Sequence, residues 1–98
     1  MSACVMIAVA YANGTPYPDA GQYLKTLDAD AYDGRGHVEW TENLAEAMRF
    51  ADAGAALLFR NTQSRIKPFR SDGKPNRPLT AITCIIVAVD LEEEEAPL

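Results

Sequence analysis

The chain has 98 residues, of which 48% are hydrophobic and 23% charged, and its formal net charge is −5. This length fits one domain with an ordinary hydrophobic core, and the composition excludes a disordered chain. No apolar run reaches the ~20 residues that cross a bilayer, and no basic residue precedes the first apolar run, so we expect no membrane span, no signal peptide and a cytoplasmic location.

The first third of the chain predicts two strands. Cys4–Ala12 is apolar on both faces and rich in β-branched residues, which is typical of a central strand. Asn13-Gly14 and two following prolines predict a turn, and Gln22–Leu27 predicts the second strand. Asp28–Gly36 is rich in aspartate and glycine, and we expect a loop there.

The middle of the chain predicts a strand followed by two helices. His37–Thr41 alternates polar and apolar residues, as a half-buried strand does, and Thr41 is placed to cap the first helix. Asp52 is placed to cap a second helix, Ala53–Gln63. The first helix presents a predicted core-facing stripe of Leu44, Ala47, Met48 and Ala51. The predicted core residues of this region are Val38, Trp40, Leu44, Met48, Leu58 and Phe59.

The last third predicts a basic loop and a long strand. Residues 64–78 carry three prolines and a Ser-Asp-Gly turn, so we expect an exposed loop with a short strand near Ile66–Phe69. Leu79–Leu91 is apolar on both faces and predicts a strand in the middle of the sheet, beside the first. We expect one domain over residues 1–91 and an acidic, solvated tail over 92–98.

The order β-β-β-α-α-β predicts an α+β fold, in which about four antiparallel strands form a sheet with two short helices packed on one face. The other face of that sheet must be polar, covered by the basic loop, or paired with a second subunit. The two strands that are apolar on both faces favour a homodimer.

Charge is segregated along the chain, which builds a surface field that can steer a charged partner. An acidic face can occupy a basic channel of another protein as a charge mimic, whereas a basic loop with Phe69 available for stacking can meet phosphate. The net negative charge opposes direct nucleic-acid binding at long range. The candidate partner-binding residues of the acidic face are Asp28, Asp30, Asp33, Glu39, Glu42 and Glu46. Those of the basic loop are Arg65, Lys67, Arg70, Lys74 and Arg77.

Each charged set also has a purely structural interpretation. The acids can serve to keep the protein in solution, and the bases can pair with acids of the same domain or of a second copy.

No motif predicts catalysis, a metal site or a cofactor. Two cysteines, Cys4 and Cys84, and the single His37 are too few for a zinc site. Asp28 to Glu39 places acids at the first, third and twelfth positions of a calcium loop, but Tyr32 and Asp33 stand where a ligand and a glycine are needed. No nucleophile or phosphate-binding motif occurs. We therefore expect a protein that is not an enzyme and needs no cofactor.

Five stretches between Gly21 and Thr80 resemble a group of small uncharacterised proteins encoded by bacteriophages and prophages. They are Gly21–Leu24, Asp33–Gly36, Trp40-Thr41, Ala47–Asp52 and Asp72–Thr80. The resemblance implies a mobile-element setting, in which proteins of this size and acidity often bind and disable a host defence complex, as anti-CRISPR proteins do. We therefore expect a binding protein that occludes a host defence protein or ribonucleoprotein in the bacterial cytoplasm. The alternatives are a nucleic-acid-binding accessory protein and a virion or assembly component.

Overall fold

The structure is a computed structural model that describes residues 2–90, and the side chains of residues 3–89. Its four strands are β1 (Ser2–Tyr11), β2 (Tyr23–Asp28), β3 (His37–Thr41) and β4 (Ile82–Asp90). Its helices are α1 (Ala31–Gly34) and α2 (Ala53–Arg60), and two 3-10 turns cover Leu44–Glu46 and Pro78–Ala81. The strands form one antiparallel sheet in the order β3-β2-β1-β4, which confirms the predicted α+β fold. The predicted tail over 92–98 lies outside the described residues.

β1 and β4 form the longest strand pair of the sheet. Val5 lies opposite Val87 and Ile7 opposite Ile85, and a bulge in β1 between Ala8 and Ala10 shifts the register. Side chains of successive residues point to opposite faces of a sheet, so Met6 and the other even-numbered residues near it share one face. The face that carries Ile7 and Ile85 is open at Ile85, which is 50% exposed, although Val5 on the same face is fully buried.

The hydrophobic core lies on the other face of the sheet. α2 packs across β1 and β4 there, and its first turn is capped by the carboxylate of Asp52, which accepts a hydrogen bond from the Ala55 N–H at 2.8 Å. This cap confirms the predicted start of the helix, although the helix ends at Arg60, before the predicted Gln63. The buried core residues are Met6, Ala8, Leu24, Phe50, Ala56, Leu79 and Ile82.

The prediction of a helix between Thr41 and Asp52 is wrong. The sequence there forms only the 3-10 turn Leu44–Glu46, which is capped by the side chain of Asn43 and not by Thr41. The following residues are extended, because Phe50 exchanges two main-chain hydrogen bonds with Cys4, at 2.8 and 2.9 Å. Main-chain hydrogen bonds to the sheet therefore replace those of a helix. The apolar residues whose spacing favoured a helix lie instead in an extended segment beside β1.

Leu58 and β4 also differ from their predicted positions. Leu58 is 77% exposed, whereas Val38, Trp40, Met48 and Phe59 pack against the core as predicted. The inward face of α2 is centred on Ala56, and Leu58 lies two residues further, about 200° around the helix axis. The last strand adjoins β1 as predicted, but it lies at an edge of the described sheet and not in the middle.

Candidate binding groove

A single carboxylate joins the turn after β2 to the start of the basic loop. One oxygen of Asp30 accepts hydrogen bonds from the Ser64 hydroxyl at 2.9 Å and from the main-chain N–H groups of Arg65 at 2.7 Å and Ile66 at 3.3 Å. These bonds, the one from Arg65 foremost, hold the pKa of Asp30 below its usual value, because they stabilise the charged form. Asp30 therefore orders the basic loop, and its carboxylate is directed at the main chain of that loop.

Ser64 and Asn76 complete this connection. The Ser64 side chain is 1% exposed, and its hydroxyl also accepts a hydrogen bond from the Lys67 N–H at 3.1 Å. The Asn76 amide group donates to the carbonyl of Gly34 at 2.6 Å and to that of Lys67 at 2.9 Å. The Ser64 N–H in turn donates to the Asn76 carbonyl at 2.9 Å. Buried polar groups are thus satisfied by partners from both segments, and the two segments are held together.

α1 is a left-handed turn. Tyr32 and Asp33 have φ values of 54° and 58°. Residues other than glycine adopt this backbone conformation at a cost in free energy. Gly34 follows with φ +84°, and a Cβ atom there would lie 2.6 Å from the Lys67 Cβ. Only glycine lets the turn approach the basic loop this closely. The strained turn consequently holds Asp33, and Arg35 directly after it, beside the basic loop.

The tip of the basic loop is a small hairpin. Phe69 and Pro75 form an isolated bridge, and the Arg70 N–H donates to the Lys74 carbonyl at 2.8 Å. The Asp72 carboxylate accepts from the Lys74 N–H at 3.0 Å and pairs with the Arg70 guanidinium at 3.0 Å. The bond from Lys74 is the main reason that the pKa of Asp72 lies below its usual value. The short strand predicted near Ile66–Phe69 is limited to this bridge.

An open groove of about 280 Å³ lies between the strained turn and the hairpin. Its lining residues are Asp33, Gly34, Arg35, Lys67, Arg70, Ser71 and Asn76. Three bases and one acid line it, and the pairing of Arg70 with Asp72 leaves a small net positive charge in a protein that is acidic overall. Tyr32, Ile66 and Phe69, which adjoin lining residues in the sequence, are each more than half exposed. Basic groups next to exposed aromatic and aliphatic side chains are typical of protein-binding surfaces.

The predicted acidic residues fall into two groups, of which the first belongs to the groove region. Asp28 is exposed, and its carboxylate accepts a hydrogen bond from the Asp30 N–H at 3.0 Å. Asp30 is bonded to the basic loop, as described above, and Asp33 lines the groove among three bases. The structure therefore combines Asp30 and Asp33 with the basic loop, whereas Asp28 is bonded to the turn that carries them.

The second group lies toward β3 and the 3-10 turn after it. Glu39 on β3 accepts a hydrogen bond from the Thr26 hydroxyl at 2.9 Å, and Glu46 pairs with the Lys25 ammonium group at 3.2 Å. Glu42 is exposed. Glu46 has a cation beside it and is thereby partly neutralised, so less negative charge is available on this side than the sequence indicates.

The predicted basic residues are also divided. Lys67 and Arg70 line the groove, whereas Arg65 contributes its main chain to the Asp30 connection. Lys74 lies in the hairpin turn, and Arg77 directly precedes the 3-10 turn Pro78–Ala81; neither lines the groove.

Sequence reasoning missed Arg35, Ser64 and Asn76. Arg35 lies within the predicted acidic region, where a base was not expected to contribute to a site. The turn predicted over Asp33–Gly36 was the one local indication that the chain changes direction there. Nothing in the local sequence of Ser64 or Asn76 indicates burial. Their role depends on residues more than thirty positions away.

No group of three histidine, cysteine, aspartate or glutamate side chains in the described part of the chain is arranged to hold a metal ion. Within residues 2–90, no helix combines the length and hydrophobicity that a bilayer-crossing segment needs. Comparison of the chain with protein-family models, with curated proteins and with solved structures gives no match.

Proposed function

We propose that the protein acts by binding a partner and not by catalysis, and that the groove between the strained turn and the hairpin is the contact surface. The observation that carries the proposal is the fixed arrangement of Arg35, Lys67 and Arg70 around one groove. A scaffold that is ordered before binding reduces the entropy lost on association. The groove suits an anionic group of the partner, such as a carboxylate or a phosphate.

The partner class follows from the sequence resemblance to phage and prophage proteins. On that basis we propose a host defence protein or ribonucleoprotein in the bacterial cytoplasm, inhibited by occlusion as anti-CRISPR proteins inhibit theirs. The basic groove is favoured over the acidic face as the contact, since Asp30 and Asp33 are part of the groove region. Ion pairing reduces the charge of both surfaces alike, through Lys25 at Glu46 and through Asp72 at Arg70.

The experiment compares wild type with three double variants as bait in lysate of a host that carries a defence system. Lys67→Glu with Arg70→Glu reverses two charges that line the groove, and Lys74→Glu with Arg77→Glu reverses two outside it. We expect wild type and the second variant to retain the same partner and the first variant to lose it. Equal loss from both variants would contradict a groove-specific contact. Retention by both, with loss on Glu39→Lys and Glu42→Lys, would instead assign the contact to the acidic face.

The same proteins are then tested for inhibition of the defence system, by counting plaques of a phage that the host normally restricts. Wild type should restore plaques, and the groove variant should not. A wild-type protein that retains no partner and restores no plaques would overturn the inhibitor proposal.

Direct binding of nucleic acid is the second candidate function, because the exposed Phe69 adjoins Arg70 and can stack on a base. Labelled single-stranded RNA and DNA should then shift with wild type at low salt, less at high salt, and hardly at all with Arg70→Glu. Absence of a shift at low salt would exclude this candidate and leave a protein partner.

A further inference from the structure

The outer edge of β4 is a long strand edge without a neighbour among the described residues. Cys4 and Ala8 of β1 direct their main-chain groups away from β4, toward Phe50 and the segment before β2. In an antiparallel ladder their partners on β4, Ala88 and Cys84, therefore direct their N–H and C=O groups outward. By the same alternation Ile86 and Asp90 do so as well, whereas the Ile82 N–H already donates to the carbonyl of Leu79. Four residues of β4 thus direct their main-chain groups to one edge.

The two edges of the sheet differ in how they are protected. β3, at the far edge, has five residues and carries His37, Glu39 and Thr41, so it is short and polar. β4 has nine residues, with no charge between Ile82 and Val89, no proline and no bulge of its own. Natural proteins blunt free edges with such devices, and a long apolar edge that lacks them is suited to pairing with another strand.

One main-chain group at this edge already has a side-chain partner. The carbonyl of Ile82 accepts a hydrogen bond from the Arg60 guanidinium at 3.2 Å, which places a positive charge at the start of β4. The other end of the strand is Asp90, and four glutamates begin two residues later in the sequence. The two ends of β4 therefore carry opposite charge.

We propose that two copies of the chain pair antiparallel through their β4 edges, around a two-fold axis at Ile86. In this register Cys84 faces the second copy's Ala88 and Ile86 faces the second copy's Ile86, so the outward-directed residues in the middle of the strand pair with one another. The Ile82 end of each copy, to which Arg60 is bonded, then adjoins the Asp90 end of the other. The charges favour an antiparallel second copy, because a parallel one would bring like ends together. The two sheets become one continuous sheet, and the exposed Ile85 gains the second copy's Val87 as a neighbour.

The first test is the oligomeric state of the full chain, measured by analytical ultracentrifugation over a range of concentrations. We expect wild type to be a dimer and Ala88→Pro, which removes an outward N–H group at an exposed position, to raise the dissociation constant at least about tenfold. Val9→Lys is the control, since Val9 is 44% exposed but belongs to a central strand and not to the β4 edge. Circular dichroism verifies that each variant is folded.

The second test exchanges the charges. Arg60→Glu alone and Asp90→Lys alone should each weaken self-association, whereas a mixture of the two should form a heterodimer, because both cross-copy pairs are then of opposite charge. Dimers in the mixture but not in the separate variants would support the edge pairing even if one variant is less stable. A wild type that stays monomeric, a dimer unaffected by Ala88→Pro, or equal dissociation by Val9→Lys would overturn it. None of these positions lines the groove, so the outcome is independent of the proposed function.

Discussion

The Asp30 carboxylate accepts a hydrogen bond of 2.9 Å from the hydroxyl of Ser64, a residue 34 positions later in the chain. The same carboxylate oxygen accepts two main-chain N–H groups from the residues that follow Ser64. The position of the basic loop, and with it two of the three bases that line the groove, therefore depends on one acidic side chain.

Replacement of Asp30 by asparagine should loosen this loop. The amide oxygen is a weaker acceptor than a carboxylate oxygen, and its amide nitrogen cannot accept the main-chain N–H groups. We expect the melting temperature to fall by several degrees and the amide protons of Arg65 and Ile66 to exchange faster with solvent. Asp28→Asn is the control, because Asp28 accepts one local N–H from Asp30. Equal melting temperatures for the two variants would contradict the assigned role.

The contribution of Asp30 to stability should depend on pH in a defined direction. Its pKa in the folded protein lies below the usual 3.8, so the unfolded state binds the proton more readily. The stability that Asp30 contributes is therefore complete above about pH 4, and it is lost as the pH falls through the lower, folded-state pKa. The difference in unfolding free energy between wild type and Asp30→Asn, measured in urea, should shrink in this acidic range. A difference that grows with acidification would show that the carboxylate is not held in its charged form.

Replacement of Gly34 by alanine should be more damaging than the same change at Gly73. Both glycines have positive φ, +84° and +83°, so both variants incur a backbone cost of about 1 kcal/mol. At Gly34 the new Cβ would also lie 2.6 Å from the Lys67 Cβ, while at Gly73 nothing lies within 4 Å. Overpacking adds about 1–3 kcal/mol, so the unfolding free energy of Gly34→Ala should fall by about 2–4 kcal/mol in total. Equal losses of unfolding free energy for the two variants, measured by urea denaturation, would mean that the basic loop moves away from the new Cβ atom at no cost in stability.

The positions of the four strands along the chain and the α+β class followed from the sequence because they depend on local patterns. His37–Thr41 alternates strictly and forms β3 with the bounds that the sequence predicts, and Asp52 caps α2 as expected. Residues 44–51 failed because periodic apolar spacing does not reveal that Phe50 will bond with Cys4, over forty residues away. Ser64 and Asn76 could not be found for the same reason, since tertiary contacts alone bury Ser64 and half-bury Asn76.

Replacement of Tyr17 by phenylalanine should destabilise the core-facing side of the sheet. The Tyr17 hydroxyl accepts a hydrogen bond from the Trp40 indole N–H at 2.7 Å, and its loss leaves a half-buried donor unsatisfied. We expect the unfolding free energy to fall by about 1–2 kcal/mol in denaturant titrations that follow tryptophan fluorescence. Tyr11→Phe is the matched control, because the Tyr11 ring contacts Tyr17 edge-on and the change leaves the Trp40 hydrogen bond intact. A larger loss for the control would assign the stability to ring packing instead.

The connection between Asp30, Ser64, Gly34 and Asn76 uses main-chain atoms of the basic loop, whereas the groove presents the side chains of Lys67 and Arg70. The side chains that form these hydrogen bonds and the basic side chains that line the groove therefore belong to different residues. Mutation during evolution can exchange the lining bases for other side chains without removing the hydrogen bonds that shape the groove. A chain of this kind can follow a changing partner, or acquire a new one, while its fold is inherited unaltered.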